Sequence, residues 1–279
     1  MLFKHIAHAT KNTFGAFGAA LTGSRFIKAD MSGPTQGYYK DLTRISRALA
    51  VSADIAMATL GGDLKRKEMI SARLGDVLAY LYMGSAALKK YEDEGRQQQD
   101  LDYVHYAVQH CLHNAAKSLQ EAFTNYPQKA VGRLLKVLIF PLGNHFAKPS
   151  DTLTVKLAES LMTPGAHRDR LTHLCYVGKE ADDSVGLMEN AFLAMYGVKS
   201  LERKLMRAAK EGKVARKGLL KERLAQALEA NVLTQDEVDQ IVAADALRYK
   251  AIQVDDFSHD FSEVRTGKDR VKPKLDSVA

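Results

Sequence analysis

Residues 60 to 96 read "LGGDLKRKEMISARLGDVLAYLYMGSAALKKYEDEGR", with a basic start, an acidic end and an almost wholly apolar middle. Ile70, Leu74, Val77, Leu81, Gly84, Leu88 and Tyr91 recur at steps of three and four, which is one face of a helix about six turns long. A second row, Leu78, Tyr82 and Ser85 beside Gly75, Ala79 and Ala86, widens that face to most of the circumference. A helix apolar over so much of its surface has to touch more than one neighbour. The stretch therefore predicts the central, most enclosed member of a helix bundle. Its second row is to be covered by the second half of the chain or by a partner outside it.

The flanking sequence supplies the neighbours. The turn "SGPTQG", residues 32 to 37, opens a helix in which Leu42, Ile45, Leu49, Ser52, Ile55, Ala56 and Thr59 keep helical spacing, and Gly61-Gly62 offers a left-handed C-cap. After "EGRQQQD", Leu101, Val104, Val108, Cys111, Leu112, Ala115, Leu119 and Phe123 continue the period as far as "NYP" at 125 to 127. Links this short join antiparallel helices. The fold class expected is all-α: an up-and-down bundle over residues 1–149, then a smaller, irregular helical region over 150–253 and a tail over 254–279 that loses periodicity and reads as extended or disordered. Near the end of the first region "KAVGRLLKVLIF" reads as a short apolar helix that stops at Pro141; in the second, Asp151 starts a helix ending before Pro164, "GKEADDSVG" (178 to 186) reads as an exposed loop, and "LMENAFLAMYGV" is again helical. Thr234 with Glu237 three residues on is a capping box.

The first residues admit two readings. No acid precedes Asp30, a bias shared with organelle transit peptides, whereas Gly15, Gly18 and Gly23 interrupt any secretory signal. The reading preferred here is a first bundle helix with Phe3, Ile6, Ala7, Thr10, Phe14 and Phe17 on one side. Met1 is also compatible with a start imposed on a piece of a longer protein. At 279 residues, 46% hydrophobic and 26% charged, the chain has globular composition. No apolar run reaches the roughly 18 to 20 residues of a membrane span. Cys111 and Cys175, without paired spacing, fit buried or reduced thiols rather than a disulfide framework.

The sequence contains no GxGxxG, GxxxxGK[ST], GxSxG or HExxH. Three features carry charge or ligating groups. His105, His110 and His113 crowd "HYAVQHCLH", but at 100° per residue His105 and His110 lie about 140° apart, so they read as hydrogen-bonding histidines and no metal site is expected. Arg73 and Asp76 sit at i, i+3 inside the apolar span and read as a structural ion pair, or as charges in contact with a neighbouring helix end, in preference to Arg73 holding a phosphate or carboxylate at a cleft. The third feature is residues 199–223, where ten Lys or Arg meet three Glu, so this one segment accounts for the whole formal charge of +7. Lys199, Arg203, Lys204, Arg207, Lys210, Lys213, Arg216 and Lys217 make a candidate surface for an anionic membrane or an acidic partner, with Leu201, Leu205 and Ala208 as a modest apolar stripe. Without aromatic residues in the run to stack on bases, nucleic acid is not an expected partner.

Together with "VLIFPLGNHFAKPSD" and "ALEANVLTQDEVDQIVAADALRYKAIQVDDF", the stretch quoted first resembles the C-terminal region of the large bacterial acyl-CoA dehydrogenases of fatty-acid β-oxidation, from about Phe3 to Phe261. It is more distantly similar to the helical region that follows the catalytic core in the mitochondrial very-long-chain enzymes. The resemblance implies a flavoprotein in which a carboxylate takes the α-proton of an acyl-CoA while FAD accepts the β-hydride, giving the trans-2-enoyl thioester and passing electrons to an electron-transfer partner. None of the family's catalytic residues maps onto this chain. Glu94-Gly95 lacks the motif that follows the family's base, so no base is assigned there. FAD is thus expected in the full-length enzyme and not on this chain alone. The partners expected are the upstream dehydrogenase core and an anionic membrane surface, with the chain in the cytoplasm or peripheral on the inner membrane. The alternative is an independent helical interaction or membrane-surface adaptor protein.

Overall fold

The computed structural model describes residues 2–178 and 183–254. It is all-α, with no strand among the described residues. The chain forms two compact units that meet between Met162 and Thr163.

The first unit holds α1 (Leu2–Leu21), α2 (Gln36–Leu60), α3 (Glu68–Asp93), α4 (Leu101–Thr124), α5 (Lys129–Ile139) and α6 (Asp151–Leu161). Consecutive helices from α1 to α5 pack on one another, as short links in an up-and-down bundle require. The expected apolar faces are the buried ones. On α3, Ile70, Val77, Leu81, Gly84, Leu88 and Tyr91 are buried, and Leu74 packs against the same core. The opposing α4 buries Val104, Val108, Cys111, Leu112, Ala115, Ala116, Leu119, Ala122 and Phe123.

The most enclosed helix is α4, not α3. It packs against α2, α3, α5 and α6, whereas α3 leaves its second row in solvent. Another departure concerns α1, where Ala7, Thr10 and Phe14 face outward, Phe14 with 73% of its surface exposed. The buried residues there are Ala16, Ala19 and Ala20, because a small-residue face lets α1 approach closely. The side chains of Phe3 and Ile6 fall outside those described.

The links are held by polar contacts that fix each turn. Tyr126 Oη lies 2.6 Å from Thr59 Oγ1, and Gln128 Nε2 donates to the Thr59 carbonyl at 3.4 Å, tying the α4–α5 turn to the end of α2. Gly61 ends α2 at φ 52° and ψ −128°, a positive-φ conformation that glycine tolerates but not the left-handed helical cap expected. Ser150 Oγ accepts from Leu153 N at 3.2 Å and caps α6, whose Lys156 Nζ meets Asp102 of α4 at 2.5 Å. α6 therefore belongs to the first unit, although the sequence expectation placed it after a boundary at residue 149.

The second unit holds α7 (Ala166–Thr172), α8 (Ser184–Lys210), α9 (Leu220–Glu229) and α10 (Gln235–Ala251). The short α7 has no counterpart in the sequence reading. "LMENAFLAMYGV" and the start of the basic segment form one continuous helix, α8. Its core joins Val198, Leu205 and Ala208 of α8 to Val214, Leu224 and Ala227, and to Leu233, Ile241 and Ala244. The capping box of α10 is present, with Thr234 Oγ1 accepting from Glu237 N and Glu237 Oε2 accepting from Thr234 N at 3.0 Å. Residues 179–182 of the expected loop and residues 255–279 of the expected tail lie outside the described residues.

Candidate interaction surfaces

In the first unit the polar side chains that could have served chemistry are engaged with the bundle itself. Tyr38 of α2 stands between two residues of α4. Gln109 Nε2 donates to its hydroxyl at 2.9 Å, and the hydroxyl lies 2.8 Å from His105 Nδ1. Burial pushes the Tyr38 hydroxyl above the ordinary tyrosine range. His113 Nδ1 lies 2.8 Å from the Phe146 carbonyl, and His110 stacks on Tyr106. The three histidines thus point to three different places, and no group able to hold a metal ion occurs among the described residues.

Arg73 reaches across to α4 instead of along its own helix. Its Nε lies 3.7 Å from Glu121 Oε2, its Nη1 donates to the Met69 carbonyl at 3.2 Å, and Lys117 meets the same Glu121 at 3.8 Å. Asp76 is exposed. The intrahelical Arg73–Asp76 pair expected from spacing is therefore replaced by an interhelical one, which also ties α3 to its main partner.

A charged site that the sequence did not announce lies on α2. Arg44 is buried, with its guanidinium carbon 5.1 Å from the centroid of the Phe146 ring. Burial lowers the Arg44 pKa and raises that of the neighbouring Asp41, and each charge partly offsets the cost of the other. A positive residue at a core position of a regular helix was the available signal. Its aromatic partner arrives from a loop a hundred residues on and has no signature of its own.

The basic segment does not form one surface. Lys199, Arg203, Arg207 and Lys210 follow one another along the solvent side of α8, with Met206 between them. Lys199 Nζ lies 5.5 Å from the Tyr196 ring centroid, and Arg203 and Lys210 face solvent. The other four are placed elsewhere. Lys204 pairs with Glu237 of α10 at 2.6 Å, Lys213 pairs with Glu211 at 2.8 Å, Arg216 Nε donates to the Ala209 carbonyl at 3.4 Å, and Lys217 sits in the turn before α9. Leu201, Leu205 and Ala208 are not a free stripe, because they pack into the core formed with α9 and α10. At the other end of α8, Arg168 of α7 makes a forked pair with Glu189, both oxygens at 2.7 Å, over the face of Phe192 at 4.9 Å.

An apolar feature left open on the first unit is the second row of α3. Ala72, Gly75, Ala79, Tyr82 and Ala86 run down the exposed side, flanked by Met69, Leu78 and Met83. Leu78 is 61% exposed and Tyr82 76%. Small residues in line between large apolar ones form a shallow groove with raised edges, the shape into which another helix packs.

No helix among the described residues is long and apolar enough to cross a membrane. No solved structure matches the chain. The profile of the family described as "Acyl-CoA dehydrogenase, C-terminal, bacterial type" matches residues 1–257, which takes in both compact units and every helix described above. The chain belongs to this family of bacterial-type acyl-CoA dehydrogenase C-terminal domains.

Proposed function

We propose that this chain is the helical region that supports the flavin-bearing core of a long-chain acyl-CoA dehydrogenase, the enzyme that converts an acyl-CoA to its trans-2-enoyl thioester at the first step of fatty-acid β-oxidation. FAD, the catalytic carboxylate and the contact with the electron-transfer partner belong to the core in this reading. Tyr38, His105 and Gln109 contact one another, Arg73 is held by Glu121, and Arg44 lies under Phe146, which supports leaving the flavin to the core. No step of the oxidation is therefore assigned to them.

The observation that carries the proposal is the uncovered row of α3. A bundle helix that buries Ile70, Val77, Leu81, Leu88 and Tyr91 on one face, yet leaves Leu78 and Tyr82 in solvent beside Gly75, Ala79 and Ala86, presents a helix-sized contact that no described residue covers. A C-terminal domain meets its dehydrogenase core in the full enzyme, and this row is the contact proposed. The test is made in the full-length dehydrogenase carrying this domain. Leu78→Glu with Tyr82→Glu leaves the helix content unchanged and makes limited proteolysis release the domain several-fold faster. Release at the wild-type rate would sink the assignment.

A second reading rests on Lys199, Arg203, Arg207 and Lys210, which present four positive charges along one exposed side of α8. They suit a peripheral contact with an anionic membrane, placing the enzyme at the cytoplasmic side of the inner membrane. Flotation with vesicles containing phosphatidylglycerol tests it: binding is expected for the wild type and not for the fourfold Gln variant, and equal flotation would refute it.

A further inference from the structure

The outward side of α8 has a complement within the same chain. Residues 254–264 read Val-Asp-Asp-Phe-Ser-His-Asp-Phe-Ser-Glu-Val, so Asp255, Asp256, Asp260 and Glu263 alternate with Val254, Phe257, Phe261 and Val264. On α8, Val185, Met188 and Tyr196 are exposed on the same side as the positive Lys199, Arg203, Arg207 and Lys210, with exposed Met206 among the cations. Both surfaces mix apolar groups with charge, and the charges have opposite sign. We propose that the acidic aromatic segment 255–264 docks on the exposed side of α8 within its own chain, its carboxylates on Lys199, Arg203, Arg207 and Lys210 and its phenylalanines on Tyr196 and Met206.

Because α10 packs on the inner side of α8, the segment would have to pass one edge of α8 to reach the cations, and its length is the first requirement. Lys204 of α8 meets Glu237 in the first turn of α10, and α8 ends shortly afterwards at Lys210. The long packing of the two helices therefore requires α10 to run back toward the start of α8. At 1.5 Å per residue, the chain leaves α10 about 15 Å from the level of Lys199 along the helix axis. The segment from Asp255 to Glu263 spans up to about 30 Å when extended, enough to lie along the four cations. Among the described residues no ion pair holds Lys199, Arg203, Arg207 or Lys210. The carboxylates around this side are Glu202, one turn from Lys199, Glu211, which pairs with Lys213 and approaches Arg207, and Glu237, which pairs with Lys204. The inference goes beyond the role proposed for the domain and gives the membrane-facing cations an internal occupant.

Zero-length carbodiimide coupling of the full chain, read by peptide mass spectrometry, tests the contact. It joins carboxylates only to amines within salt-bridge distance, and Lys204 of α8 with Glu237 of α10, at 2.6 Å, is the internal control. In the monomer fraction, Asp255, Asp256, Asp260 or Glu263 should couple to Lys199 or Lys210. Raising salt from about 0.01 M to about 1 M shrinks the screening length from about 30 Å to about 3 Å and should cut that coupling at least several-fold. Arg203→Glu with Arg207→Glu should do the same at low salt while leaving the control pair coupled. Coupling of the control pair without any tail-to-α8 product would overturn the proposal, as would tail products confined to dimers.

Discussion

Three glycines on two helices separate close packing from helix propensity, and Gly132 of α5 is the most telling. A Cβ built there would lie well inside contact distance of the Phe123 carbonyl oxygen and 2.9 Å from Tyr126 Cβ. Neither can swing away: the first is backbone of α4, and Phe123 and Tyr126 are both buried. Gly132→Ala gains about 1 kcal/mol of helix propensity. It loses roughly 3 kcal/mol to overpacking, at the upper end of the usual range because the obstacle is main chain. The net expectation is a loss of about 2 kcal/mol, which for a slope near 2 kcal/mol/M lowers the urea midpoint by roughly 1 M. Gly75 of α3 has nothing within 4 Å, so Gly75→Ala should instead stabilise by about 1 kcal/mol. Gly84 lies between the two, since its added methyl meets the movable Leu42 Cδ2 at 3.2 Å, and Gly84→Ala should change stability by less than about 1 kcal/mol. Because two compact units need not unfold together, the readout is amide exchange of α5 and α3 during urea titration. Gly132→Ala equal to or more stable than wild type would refute the close α4–α5 approach on which the estimate rests.

Other perturbations reach different parts of the molecule. Tyr126→Phe removes the hydroxyl that meets Thr59 and should cost about 1 kcal/mol, with little further loss when Thr59→Val is added; additive losses would show that the two do not interact. Arg73→Ala and Glu121→Ala should couple by only about 0.5 kcal/mol, because the glutamate is half exposed, whereas Arg73→Ala with Asp76→Ala should not couple at all. The fork with Arg168 holds the Glu189 carboxyl below its ordinary range. Since the folded value is depressed, that stabilisation is complete above the unfolded pKa near 4.3 and is lost as pH falls through the lower folded value. Thermal unfolding of Arg168→Ala should therefore be less steeply acid-sensitive below about pH 4 than wild type, and equal slopes would remove Glu189 from the acid response.

What the sequence disclosed follows from the range of each interaction. The face of α3 from Ile70 to Tyr91 was readable because large apolar side chains at helical spacing have few other places to go. Its second row misled about enclosure. Gly75, Ala79 and Ala86 count as apolar in a pattern yet lose little by staying in water, and the helix truly surrounded, α4, looked no more apolar than its neighbours. The capping box at Thr234 was legible since both partners lie within one turn. Arg73 was placed on the nearest carboxylate in sequence, but the helix packed beside it supplied another. The stripe of Leu201, Leu205 and Ala208 was visible, while its coverage by Leu224, Ile241 and Ala244 depends on two later helices folding back. Among the surface cations, spacing along α8 identified the four on one side, but the partners that remove Lys204, Lys213 and Arg216 from that side are tertiary or turn contacts.

The buried position of Leu201, Leu205 and Ala208 also decides how the positive side of α8 can act. A helix that lies in a lipid surface needs a continuous oily stripe to sink between acyl chains, and here Leu201, Leu205 and Ala208 are committed beneath the charges, with Met206 the exposed apolar residue set among the cations. What remains is Coulombic attraction of roughly 1 kcal/mol per cation near an anionic surface, fading within a Debye length. Such a grip has no depth: it loosens and tightens with the ionic strength of the surrounding medium, and it releases its partner without unfolding anything.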